Sequence, residues 1–131
     1  RDHEALMDIM RSEPLDFVQF SYNIEDRDVE QSLLPLSQDL GIATMINRPF
    51  QQGAIFGKSR GHELPALAAE LDCTSWAQFF LKFLLANPAV TVVIPGTDRP
   101  EFAVDNLNAA RGRIPDAKMR EAMVKYWDGL G

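Results

Sequence analysis

Three short stretches of this sequence carry residue types that could bind a ligand. Gly96-Thr97-Asp98 leads into Pro100, a residue suited to the first turn of a helix. A glycine turn aimed at a helix N-terminus offers N–H groups and a favourable dipole to a phosphate. Gly, Thr and Asp are also common at any helix start, so capping is the commoner explanation of this turn taken alone. Asn47-Arg48-Pro49-Phe50 and the polar run from Gln19 to Asn23 close two apolar stretches, where loop hydrogen bonding competes with ligand binding. Other candidates are weaker. Asp26, Asp28 and Glu30 imitate a cation site, yet carboxylates near a helix start complement its dipole and are ordinarily solvated. Cys73 beside Asp72 has no neighbouring base and reads as a turn residue, and His62 reads as an exposed loop residue. Tyr22 lies on the apolar alternation face of its strand and Tyr126 beside Lys125 on the terminal helix, and both read as core or surface groups.

The elements that must position these groups follow from periodicity. Residues 2–12 put Leu6, Ile9, Met10 and His3 on one side of an amphipathic helix that Pro14 terminates. A strand over 15–24 alternates Val18, Phe20, Tyr22 and Ile24 with Phe17, Gln19, Ser21 and Asn23, so its second face turns polar toward its end. Next comes a helix with Asp26 and Asp28 at its start, Val29, Leu33, Leu36 and Leu40 inward, and Gly41 as its stop. Pro35 would cost about 3 kcal/mol in its interior, so a kink or a start nearer Ser32 is expected. Residues 42–46 form a second strand, and 47–61 a glycine-bearing loop of functional or mobile length. Pro65 opens a helix to Leu71, and Thr74 caps another from Ser75 to Ala86 that buries Trp76, Phe79, Phe80, Phe83 and Leu84. Residues 90–94 form the third strand. Asp98 and Glu101 resemble a capping box for a helix holding Phe102, Ala103, Leu107 and Ala110 and ending at Gly112. A last helix from Asp116 to Asp128 turns Met119, Met123 and Trp127 inward.

This order implies an α/β fold with parallel strands joined by right-handed crossovers. Parallel sheets are buried on both faces, which three strands cannot arrange, so further strands are expected from a longer chain or another subunit. The chain reads as a segment of a parallel barrel or open sheet, and both gather ligands at the C-terminal ends of their strands. At 131 residues it is one domain or less. The start, Arg1-Asp2-His3-Glu4, has neither an initiator Met nor a signal pattern, and a beginning partway into a larger protein is expected. With 13 Lys+Arg against 19 Asp+Glu and a net charge of −6, the chain lacks the basic footprint of a nucleic-acid or anionic-membrane binder. One cysteine and two histidines give no disulfide framework and no metal-ligand set, which fits a cytoplasmic location. The most apolar stretch, Trp76 to Ala86, contains Lys82 and is well short of the roughly 18 residues of a membrane span.

Taken together, Phe17-Val18-Gln19-Phe20, Asn47-Arg48-Pro49-Phe50, and Val93-Ile94-Pro95-Gly96-Thr97 followed by Asp105-Asn106 resemble the C-terminal half of the aldo-keto reductases. The resemblance runs from the helix at Asp2 through Gly112-Arg113-Ile114-Pro115-Asp116. It implies the last three parallel strands of a (β/α)8 TIM barrel with their helices, residues 1–131 forming the C-terminal part of one barrel domain without an internal boundary. It also implies NAD(P)H extended across the strand ends. Gln19 would then bond the nicotinamide amide, and Asn47, Arg48, Pro49 and Phe50 would line the pyrophosphate. Gly96 and Thr97 would approach the adenosine phosphate, and Asp105 and Asn106 the adenine edge. Many members carry a lysine where this chain has Gly96 and an arginine where it has Phe102, which leaves Arg99 as the cation for a 2′-phosphate. NADPH is the cofactor expected, with NADH as the alternative.

The family's Asp, Tyr, Lys and His tetrad belongs to the first four strands. The resemblance therefore implies a parent enzyme that reduces a small aldehyde or ketone, while this chain alone is inactive. Its partner would be the N-terminal half of the same barrel, or a second copy when isolated. A non-catalytic regulatory or binding protein on the same barrel is the alternative, and an unrelated open sheet is a further one.

Overall fold

Side-chain alternation sets the first strand. In β1 (Phe17–Ser21), Val18 and Phe20 are buried while Phe17 and Gln19 are exposed, as the two-residue repeat requires. The computed structural model describes residues 2–131. Its sheet runs β1-β2-β3, with β2 (Ala43–Asn47) and β3 (Val92–Val93) both parallel to their neighbours. Phe17 faces Ala43, Ser21 faces Asn47, and Met45 faces Val92.

The third strand is shorter than the expected 90–94 because side chains replace its first ladder bonds. The Thr44 amide donates to Thr91 Oγ1 at 2.9 Å, the Thr91 amide to Thr44 Oγ1 at 3.0 Å, and the Thr44 hydroxyl to the Ala89 carbonyl at 2.7 Å.

Among the described residues seven helices connect and cover these strands. In α1 (His3–Ser12), started by the Asp2 carboxylate bonding the Ala5 amide, only Met10 is buried, and Ile9 faces solvent against expectation. A 3-10 turn at Asp28–Gln31 precedes α2 (Leu33–Leu40), so the helix does begin beside Ser32. Pro35 is then its third residue, where no intrahelical N–H bond is lost. Leu34 takes the buried position foreseen for Leu40, and Gly41 ends the helix at φ 66°, a conformation that suits glycine. Residues 47–61 are not a loop: a 3-10 turn at Gln51–Gly53 leads into α3 (Ile55–Ser59), which buries Ile55. Following α4 (Leu67–Glu70), which starts two residues after Pro65, comes α5 (Trp76–Leu85). Its cap is Ser75 rather than Thr74, because the Ser75 hydroxyl accepts from the Gln78 amide.

The expected cap is displaced in α6 (Pro100–Asn108). Arg99 rather than Asp98 occupies the cap position, without a side-chain cap bond, although Pro100 does open the first turn. Phe102 and Leu107 lie in this helix and are 48% and 72% exposed. The final helix, α7 (Ala117–Gly129), is capped by Asp116 and buries Met119, Met123 and Trp127 as its spacing requires.

A single core joins the inner sheet face (Val18, Phe20, Ile46) to Leu33, Phe79, Phe80, Phe83 and Trp127. Its edge is tied by a polar cluster. Tyr22 donates to the Glu30 carboxylate, Arg120 bonds both, and the Arg120 guanidinium lies 4.5 Å from the Phe83 ring centre. Glu30 is therefore an engaged ion-pair partner, not the solvated helix-start carboxylate expected. Burial, then the Glu30 contact, pushes the Tyr22 hydroxyl pKa upward, so it stays protonated. Among the described residues no helix is long and apolar enough to cross a membrane.

The opposite sheet face is open. Phe17 is 58% exposed, and Val92 and Ile94 about two-fifths exposed. A parallel sheet ordinarily covers such a face. The 131-residue chain by itself is expected to self-associate at micromolar concentration through this surface, and Phe17→Glu to shift it toward monomer. Sedimentation velocity measures both; a cooperative monomer without the substitution would contradict the role given to this face.

Candidate functional site

Parallel pairing brings the ends of β2 and β3 to the same edge of the sheet. There, between the segment after β2, α3 and the N-terminal turns of α5 and α6, lies a cleft of about 750 Å³. It collects Arg48, Pro49, Phe50, Gly96, Thr97, Asp105 and Asn106 from the residues singled out in sequence. Gln19, Asn47 and Arg99 are not in its wall. Gln19 lies on the open sheet face in register with Met45 and Val92. Asn47 Oδ1 accepts from the Ser21 hydroxyl at 2.6 Å. Arg99 is exposed, with its guanidinium 5.2 Å from the Phe102 ring centre.

The aromatic character of the cleft was only partly foreseen. Besides Phe50 and Phe102, it includes Phe56 and Trp76. A five-residue helix is too short for Phe56 to show a period, and helical spacing places Trp76 on the buried side of α5. Its place at the first turn of a helix, at the ligand edge of the sheet, was the available signal. Trp76 stacks on Phe80 at 5.6 Å and on Tyr126 at 6.2 Å, and its indole N–H donates to the His62 carbonyl at 3.0 Å. The ring is thus fixed while part of it faces the cleft.

The segment after β2 holds strained backbone. Arg48 has φ 49°, Gln51 φ 49° and Gln52 φ 57°, left-handed conformations costing non-glycine residues of order 1–3 kcal/mol each. Asn23, almost fully buried, secures the first of them. Its Nδ2 donates to the Arg48 carbonyl at 3.2 Å, and its Oδ1 accepts from the Glu25 and Asp26 amides at 3.0 and 2.9 Å. One carboxamide therefore locks the end of β1 to the turn that presents Arg48.

Two opposite charges belong to the wall. Arg48 is its cation, while the Asp105 carboxylate accepts from the Ser75 hydroxyl at 2.6 Å and from Gln78 Nε2 at 2.8 Å. Thr97 Oγ1 accepts from the Arg99 amide at 3.2 Å and closes the glycine turn.

The remaining candidates are engaged elsewhere. Both tyrosine hydroxyls have partners, Tyr22 in its ion-pair cluster and Tyr126 at the Glu63 carbonyl, 2.8 Å away. Burial pushes the Cys73 thiol up to about 11, which denies it thiolate reactivity at neutral pH. Among the described residues no group of three His, Cys, Asp or Glu could hold a metal ion.

A cleft at the strand ends of a parallel sheet, with a cation, a glycine turn and aromatic walls, fits the resemblance seen in sequence. The model of the Aldo/keto reductase family matches residues 2–125. The chain belongs to this family. It is 36% identical, over 142 residues, to the NADH-specific methylglyoxal reductase of Escherichia coli (strain K12), a match covering 88% of this chain and 43% of that protein. An aldo-keto reductase from Bacillus halodurans in its holo form shares the fold at TM-score 0.70 and 18% identity, over 94% of this chain and 46% of its own. A thermostable aldo-keto reductase in complex with the inhibitor epalrestat matches at TM-score 0.61 and 28% identity, over 92% and 41%. The chain thus spans less than half the length of each of these relatives. Its three parallel strands and their helices are part of a TIM barrel.

Asn23→Ala removes one donor and one acceptor from a buried network, and leaving such partners unsatisfied costs roughly 1–3 kcal/mol. The variant is expected to lose about 2 kcal/mol of stability. It should also lose amide protection at residues 48–53 before other regions. Urea unfolding and hydrogen exchange measure the two effects, and a stability equal to the parent's would contradict the locking role.

Proposed function

We propose that these residues form the cofactor-binding side of a nicotinamide-dinucleotide-dependent oxidoreductase that reduces an aldehyde or ketone to an alcohol. The observation that carries this reading is the convergence of Arg48 to Phe50, Gly96-Thr97 and Asn106 on one cleft. Family membership supports it. The cleft volume lies within the roughly 300–1,000 Å³ typical of ligand sites, which suits the adenosine part of an extended dinucleotide.

When bound, the dinucleotide supplies a hydride to the carbonyl carbon. This chain's residues bind and orient it. The Arg48 guanidinium faces the pyrophosphate, beside Asn47, Pro49 and Phe50, and offers paired N–H donors that match phosphate oxygens. Gly96 has no atom within 4 Å of where a Cβ would stand, which leaves room for a phosphate beside Thr97. The Phe50, Trp76 and Phe102 rings stack with the base and exclude water, and Asn106 reads the adenine edge. Asp105, committed to Ser75 and Gln78, supports that wall. Gln19, on the open face, hydrogen-bonds the nicotinamide amide.

Proton donation falls outside these residues in this reading. The Asp, Tyr, Lys and His tetrad lies in an N-terminal half of the same barrel domain, which would cover Phe17, Met45, Val92 and Ile94. Residues 1–131 alone are then inactive. Coverage of less than half of each relative and the engagement of both tyrosine hydroxyls support this division. A cytoplasmic setting suits a chain whose one cysteine is a free thiol.

The form of the cofactor turns on the charges near α6. Arg99, expected to favour NADPH, stacks over Phe102 outside the cleft wall, whereas the Asp105 carboxylate is inside it. The E. coli relative is named as NADH-specific. These observations favour NADH, with a small α-oxoaldehyde such as methylglyoxal as the first substrate to try.

Titration of Trp76 fluorescence with NADH and NADPH tests the reading. NADH is expected to bind at least as tightly as NADPH, and Arg99→Ala to change either affinity by no more than about threefold, as for an exposed charge. A loss of tenfold or more for NADPH alone would assign the 2′-phosphate to Arg99 and restore the NADPH preference; binding of neither dinucleotide would overturn the proposed function.

A further inference from the structure

Helix α6 forms one wall of the cleft, yet none of its nine residues is buried. Apolar burial within the helix therefore does little to fix it, and Phe102, Val104 and Leu107 face solvent. Its position depends on polar contacts with α5. Gln78 and Lys82 stand four residues apart on α5, hence on one side of it, and both are almost fully buried.

Gln78 bonds α6 past its middle, at Asp105, and Lys82 bonds the segment that follows the helix. Gln78 Nε2 donates to the Asp105 side chain at 2.8 Å and to its carbonyl at 3.3 Å, while Gln78 Oε1 accepts from the Thr74 amide at 2.9 Å. Lys82 donates to the Arg111 and Arg113 carbonyls just beyond α6, at 2.6 and 2.9 Å. Gly112 between them, at φ 73°, approaches Asp72 so closely that a Cβ there would collide with the carboxylate. The exit of α6 is thus pinned by Lys82 and by close packing. The segment carrying Phe102, Asp105 and Asn106 is pinned through Gln78, with Ser75 completing the Asp105 contact.

We propose that Gln78, which lies outside the cleft lining, is a positioning residue for the cleft: by fixing Asp105 it sets where α6 presents Asn106 and Phe102, and so sets the affinity for a dinucleotide. The proposal rests on the dinucleotide reading, and its chemistry is that of a buried amide whose two ends are both used. An apolar side chain at position 78 would leave the Thr74 amide and the Asp105 carboxylate without this partner. A carboxylate there would keep the Thr74 bond and repel Asp105.

The test uses Gln78→Glu alone and together with Asp105→Asn in the full chain. The double variant returns an N–H donor at position 105 and an acceptor at position 78. NADH affinity is read by Trp76 fluorescence, and amide exchange over residues 100–108 is compared with that over α7. The single variant is expected to bind NADH about ten- to a hundredfold more weakly and to exchange faster in α6 while α7 keeps its protection. The double variant is expected to recover the protection of α6 and to bind NADH more tightly than the single variant. Parental affinity in Gln78→Glu, or exchange in α6 that the double variant does not slow, overturns the proposal. If the unsubstituted protein binds no dinucleotide, the proposed function fails, and exchange alone decides for Gln78: faster exchange in α6, reversed by the double variant, supports its hold on the helix, and unchanged exchange overturns it.

Discussion

Strands that run the same way end at the same edge of their sheet, and the remaining features of this chain follow from that constraint. Each return to the starting edge requires a crossover long enough to contain a helix. The crossovers supply the covering layer of Leu33, Leu34, Phe79, Phe80 and Phe83, and they gather every strand-to-helix turn on one side. Arg48 and Thr97 are about fifty residues apart in sequence and share a cleft for that reason.

The same constraint assigns different tasks to the two faces of the sheet. The inner face packs against helices, and the buried Thr44 is satisfied there through Thr91, each hydroxyl accepting from the other residue's amide. The outer face keeps Phe17, Val92 and Ile94 exposed, an arrangement that suits the interior of a closed barrel. Polar groups elsewhere hold irregular backbone. Asn23 secures the strained Arg48, and Arg120 with Glu30 secures Tyr22 at the end of the first strand.

Much of this was legible in the residues. Alternation in Phe17 to Ser21 specified which side of the strand is buried, and the spacing of Met119, Met123 and Trp127 specified the inner side of the last helix. Strand ends located most of the cleft. Where the reading failed, the missing information was tertiary. Ala103, Leu107 and Ala110 stand at helical spacing, but a repeat reveals which residues share a face and not whether anything covers it, and Leu107 is exposed. Ile55 and Phe56 lie in a helix too short for a period to emerge. Lys82 looked like a charge interrupting an apolar stretch, whereas two carbonyls distant in sequence make its burial affordable. The hydrogen bonds of Asp105 to Ser75 and Gln78 are invisible to periodicity because these partners come from around a different helix.

The edge cleft between β2, α5 and α6 as the proposed dinucleotide site is tested most directly by nuclear magnetic resonance of the protein titrated with NADH. The non-proline amides of residues 48–53 and 96–106 are expected to shift together with the Trp76 indole N–H, in one saturable process, while the Trp127 indole signal stays in place. Saturable shifts centred on another surface, with these signals unmoved, would contradict it.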